Sequence, residues 1–62
     1  MTGPELRAAR LALGLTQVAL AERLGVPKDT LNRWEMGRQS IRFPTVLALA
    51  MEQLAREAGH AV

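Results

Sequence analysis

Apolar side chains along this chain recur three or four residues apart, the period of a helix with one buried face. Leu6, Ala9, Ala12 and Leu13 mark a first helix that begins near Pro4. Proline suits a first helical position, and Thr2 with Glu5 has the spacing of a capping box. Gly14 follows the last apolar residue and reads as a left-handed C-cap. Thr16 is placed to cap a second helix from Gln17 to Leu24, with Leu20, Ala21 and Leu24 on one face. Gly25 ends it. A third helix starts after Val26 and Pro27 and runs from about Lys28 to Met36, where Gly37 stops it. Arg38 to Phe43 reads as a loop. Pro44 opens a last helix that reaches Ala58 before Gly59, with Leu47, Ala50, Met51, Leu54 and Ala58 on one face. Val46 and Leu49 lie to one side of that face; they either extend the core contact or form an apolar edge for a partner. Valine and isoleucine are scarce and never alternate with polar residues, so the predicted fold is all-α.

At 62 residues the chain reads as a single domain over 1–62 with a small core and little room to wall in an active site. It has no cysteine, which removes disulfide staples and thiolate metal sites and fits a reducing, cytoplasmic setting. No apolar run approaches the roughly 20 residues that span a bilayer, so no membrane role is expected. The start, Met1 to Glu5, lacks the basic-then-apolar pattern of a secretory leader. His60 is the only histidine and sits in an expected frayed tail, without a second ligand or nucleophile beside it. No phosphate-cradling glycine loop or paired-acid constellation appears, so neither cofactor, metal nor enzyme activity is expected.

Charge changes the picture more than composition does. Between Arg23 and Arg42 stand Arg23, Lys28, Arg33, Arg38 and Arg42 against Asp29 and Glu35, a net +3. From Phe43 onward Arg56 stands against Glu52 and Glu57, a net −1. A basic middle suits a polyanionic partner, although a solvated charged surface would read the same way.

The segment from Gln17 to Met36 carries the function. Two short helices joined by a tight glycine-containing turn are a helix-turn-helix pattern. On a wheel of about 100° per residue, Leu31 and Trp34 share one arc of the third helix. Lys28, Asp29, Asn32, Arg33 and Met36 share the opposite arc. Trp34 could stack on a base, but its place on the wheel assigns it to the core. Lys and Arg suit guanine, Asn suits adenine and Asp accepts from cytosine, so the polar arc can read base edges. An ordinary amphipathic helix would have the same outline.

The segment from Leu13 to Arg38 resembles the Cro/C1 repressor-type helix-turn-helix family. Leu15-Thr16-Gln17, Leu20-Ala21, Leu24-Gly25-Val26, Leu31 and Trp34-Glu35 with Gly37 carry the likeness, which extends over about residues 5 to 54. It implies a compact four- to five-helix bundle of the phage-repressor DNA-binding type, with its third helix in the major groove of double-stranded DNA. It further implies base contacts from Lys28, Asp29, Asn32 and Arg33, and phosphate contacts from Gln17, Arg38, Gln39, Ser40 and Arg42. Arg10 and Glu35 match a partly buried structural ion pair between the first and third helices. Two positions depart from the family pattern. Pro27 replaces the usual Ser or Thr cap of the recognition helix, and the last helix continues where the family often breaks into a fifth. The expected function is a transcriptional regulator, acting as a repressor, dimeric on a two-fold operator and nucleoid-associated. The alternative is a protein-interaction module, such as the antitoxin of a toxin–antitoxin pair, using the last helix.

Overall fold

A computed structural model describes residues 1–60 of the chain, with side chains described through Ala58. Its helices are α1 (Gly3–Ala12), α2 (Gln17–Leu24), α3 (Lys28–Glu35) and α4 (Pro44–His60), and no strand occurs among the described residues. The all-α bundle with a central helix-turn-helix is therefore the observed architecture. No helix of the structure is long and apolar enough to cross a membrane.

Local chemistry sets the boundaries. The Thr2 hydroxyl accepts from the Glu5 backbone N–H at 3.3 Å, and the Glu5 carboxylate accepts from the Thr2 N–H at 3.0 Å, which completes the capping box. These bonds hold the Glu5 carboxyl below its ordinary value; the Thr2 hydroxyl is the main cause and the Thr2 backbone N–H the next. The Thr16 hydroxyl caps α2 by accepting from the Ala19 N–H at 3.1 Å. After α1, α2 and α3 the chain turns through Gly14, Gly25 and Gly37, all with positive φ. At each turn the residue after the glycine donates to a carbonyl five positions back: Leu15 to Arg10, Val26 to Ala21 and Arg38 to Arg33. Pro27 provides no side-chain cap for α3; it fixes an extended backbone at φ −63° instead.

Leu6, Leu20 and Leu31 are fully buried, one from each of the first three helices. Ala21, Leu47 and Met51 complete the core, and Leu13, Leu15, Leu24, Val26, Trp34, Ile41 and Leu54 pack around it. Burying a leucine this fully is worth roughly 1.5–3 kcal/mol, so three such residues outweigh the weak intrinsic stability of eight- to ten-residue helices. The indole of Trp34 lies against this core, and its Nε1 meets no acceptor among the described residues.

Several expectations need correction. Ala12 is exposed, because the inner stripe of α1 runs through Leu6, Arg10 and Leu13 and turns Ala12 outward. Ala58 is also exposed; α4 outruns the core it packs on after Leu54. The helix continues through Gly59 to His60, the last of the described residues. A helical glycine costs about 1 kcal/mol and does not forbid continuation. The third helix stops at Glu35, with Met36 as its cap. Val46 and Leu49 are 64% and 59% exposed, which removes them from the core and leaves them as an edge.

Candidate nucleic-acid interface

Helix α3 reaches the surface along one side only. Leu31 is buried and Trp34 half-buried toward α1, α2 and the 36–43 loop, which turns Lys28, Asp29, Asn32, Arg33 and Met36 outward. The four polar side chains expected to face bases are thus all exposed on one continuous edge. Arg38, Gln39, Ser40 and Arg42 are exposed in the loop that follows. Gln17 is half-buried at the start of α2, beside that edge.

The ion pair behind the edge is short and buried. Arg10 Nε donates to Glu35 Oε2 at 2.8 Å, and Arg10 Nη2 donates to Glu35 Oε1 at 3.1 Å. The third guanidinium nitrogen, Nη1, donates to the Leu15 carbonyl at 2.9 Å. Arg10 is 9% and Glu35 8% exposed. One guanidinium thus ties α1, the α1–α2 turn and the last residue of α3 together, with the two-pronged geometry that suits arginine. The pair also shapes the field. Burial beside Arg10 removes Glu35 from the surface, and among the described residues no other salt bridge forms. Within the 23–42 segment Arg23, Lys28, Arg33, Arg38 and Arg42 therefore face solvent against Asp29, with Glu22 exposed just before them, which is more basic than the bare count for that segment.

Gln17 makes contacts that the sequence did not foreshadow. Its Nε2 donates to Asn32 Oδ1 at 3.2 Å and to Glu35 Oε1 at 3.3 Å. Both amide hydrogens face protein acceptors, so this side chain offers no free donor to a phosphate in this arrangement. No local signal marks the contact; it arises only because α2 crosses α3 with Gln17 opposite Asn32 and Glu35.

Gly3 is the second residue that sequence reasoning passed over. A methyl group at this position would overlap the Trp34 carbonyl oxygen and lie 3.2 Å from that of Glu35. The first turn of α1 sits directly on the last carbonyls of α3, positive end against negative end. Thus α3 is anchored at its C-terminus by Gly3 and Arg10 while its polar edge stays open.

A helix-turn-helix family model matches residues 6–52. The chain belongs to the Cro/C1-type helix-turn-helix family. It is also similar to the propionyl-CoA carboxylase regulator of Cereibacter sphaeroides, with 46% identity over 50 residues. That alignment covers 81% of this chain and 11% of the regulator, so the chain corresponds to a small part of that relative. No solved structure matches it. Membership in the Cro/C1-type family makes this a DNA-binding domain of the kind used in transcriptional regulation. Among the described residues no cluster of acidic, histidine or cysteine side chains is arranged to hold a metal ion.

Proposed function

We propose that this domain binds a specific duplex sequence as a repressor, through the exposed edge of α3 and as a dimer on a two-fold operator. The observation that carries the reading is the sidedness of α3: its apolar residues pack inward and its polar residues form one uncovered edge. Lys28, Asp29, Asn32 and Arg33 then read bases in the major groove, where donor and acceptor patterns distinguish all four base pairs. Arg38, Gln39, Ser40 and Arg42 hold phosphates and fix the register. Gln17 contributes to phosphate binding through its backbone N–H at the start of α2, since its amide is engaged inside the protein.

Dimerisation is supported by an unpartnered apolar strip. Phe43, Val46 and Leu49 are 62%, 64% and 59% exposed, and Phe43 and Val46 line a groove of about 160 Å³ together with Trp34, Ile41 and Ala50 among others. Two copies joined near this strip would read two half-sites, and one copy alone reads too few base pairs for useful specificity. The same strip is what favours the second reading, docking of a different protein chain.

Selection of bound duplexes from a random pool tests the proposal. A two-fold consensus is the expected result, narrowed at individual base pairs by the residues of α3. Retention of duplexes with no common sequence would defeat it. In parallel, sedimentation of Val46→Glu against the unaltered chain is expected to show loss of the dimer, and an unchanged mass would remove the strip from the interface.

A further inference from the structure

The exposed edge of α3 has two margins. On one, Glu35 is held by Arg10 of α1 and by Gln17 of α2. On the other, Trp34 lines a groove with Ile41, which sets the 38–42 loop against that side of the helix. The major groove of B-DNA is about 12 Å wide, so a helix lying in it has a sugar-phosphate strand along each side. The loop margin brings the exposed Arg38 and Arg42 to one strand. For the opposite strand the Gln17 backbone N–H is a weak counterpart, with the side-chain amide engaged inside the protein.

Arg7 stands on that opposite margin. At about 100° per residue, Gly3, Arg7 and Arg10 fall within an arc of about 60° on α1. Gly3 presses on the Trp34 and Glu35 carbonyls and Arg10 bonds Glu35, so this arc meets the last turn of α3. Going round α1 from the buried Leu6, the order is Arg10, Gly3, Arg7: core, then contact with α3, then solvent. Going round α3 from the buried Leu31, the order is Glu35, then the exposed Lys28, Asn32 and Met36. The two helices thus expose Arg7 and the reading edge on the same side of their contact. Within the chain Arg7 has no ionic task. The residues three and four positions away, Gly3, Pro4, Arg10 and Leu11, include no acid. Glu5 is engaged by Thr2 and Glu35 by Arg10, and Arg7 forms no salt bridge among the described residues.

We infer that Arg7 holds a phosphate on the strand opposite the one held by the 38–42 loop, so that cations on both margins clamp the major groove around α3. The inference rests on the proposed base-reading role of α3. Arg7→Gln tests it, because glutamine keeps the helix preference and removes the charge. On a selected operator the slope of log affinity against log salt is expected to become shallower by about 0.9 for each bound copy, with base preferences unchanged. Arg7→Lys, which keeps the charge, is expected to retain the slope of the unaltered chain. Duplexes with single phosphates replaced by neutral methylphosphonates then locate the contact. One replacement that weakens the unaltered chain is expected to leave Arg7→Gln indifferent. Within the same half-site it should lie across the major groove from the replacement to which Arg38→Ala or Arg42→Ala is indifferent. An unchanged slope for Arg7→Gln would overturn the inference and leave Arg7 a solvated charge. A contact on the strand already held by the loop would overturn it, as would a preference altered at one base pair. Equal loss of slope in Arg7→Gln and Arg7→Lys would overturn it as well, since the charge would then not be the cause. If the unaltered chain selects no common duplex, the base-reading role of α3 falls and this inference with it; a consensus bound with the same slope by Arg7→Gln removes Arg7 alone.

Discussion

Gly3 shows how one missing methyl group can matter more than helix propensity. In an open helix, glycine to alanine is stabilising, by up to about 1 kcal/mol. At Gly3 the added carbon would meet two backbone carbonyls of α3, which cannot swing aside as a side-chain tip would. Overpacking then decides the sign. Gly3→Ala is expected to destabilise by about 1–3 kcal/mol, and a thermal midpoint unchanged or raised would show that α1 and α3 are not pressed together here. Arg10 makes the complementary case. Arg10→Met leaves the Glu35 carboxylate buried without its cation, a loss of about 3–5 kcal/mol. Domains of this size have only about 3–9 kcal/mol in total, so the single variant should be largely unfolded at moderate temperature. Adding Glu35→Leu removes the stranded charge and is expected to recover most of the loss, since apolar replacement of a buried pair is often neutral or better. Equal unfolding midpoints for single and double variants would mean that the penalty is lost packing and not an uncompensated charge.

At the scale of the element, the helix starts can be tested by titration. Glu5 is fully exposed, yet its carboxyl is held below the ordinary 4.5 by the Thr2 hydroxyl and the Thr2 N–H. A depressed folded-state pKa means that the unfolded chain binds the proton more readily. The stabilisation is therefore complete above the ordinary value and is lost as pH falls through the folded one. Glu5→Gln supplies an amide oxygen that can still accept from the Thr2 N–H in a capping box but cannot ionise. The midpoint difference between the two proteins should be largest near neutrality and shrink below pH 4.5, and a difference independent of pH would assign the cap no ionic part. The caps and turns around Thr2, Thr16, Gly14, Gly25 and Gly37 were legible in the sequence because each depends on residues within a few positions of one another. Arg10 with Glu35 was legible only through family resemblance, 25 positions apart. Gly3 against Trp34 and Gln17 against Asn32 were not legible at all, because nothing in a linear pattern says which faces meet once helices cross. The passage of α4 through Gly59 was not foreseen because glycine weakens a helix without ending it.

For the whole molecule the decisive quantity is how many phosphates are held, and salt dependence counts them. Each phosphate neutralised contributes about −0.9 to the slope of log affinity against log salt on duplex DNA. Arg38 and Arg42 are exposed in the loop beyond the reading helix, with no acid near enough for a salt bridge among the described residues. Arg38→Ala removes one proposed phosphate contact from every copy of the domain. On an operator occupied by one copy the slope should become shallower by about 0.9, and on one occupied by a two-fold dimer by about 1.8. On a duplex carrying a single half-site, where one copy binds, the same substitution should give the smaller change. The slope thus reports both the role of Arg38 and the number of copies on the DNA. The base preferences must meanwhile stay fixed, because a phosphate contact positions the domain without reading sequence. A slope that Arg38→Ala leaves unaltered would remove this arginine from the phosphate backbone, and an altered slope with altered base preference would place it in the groove.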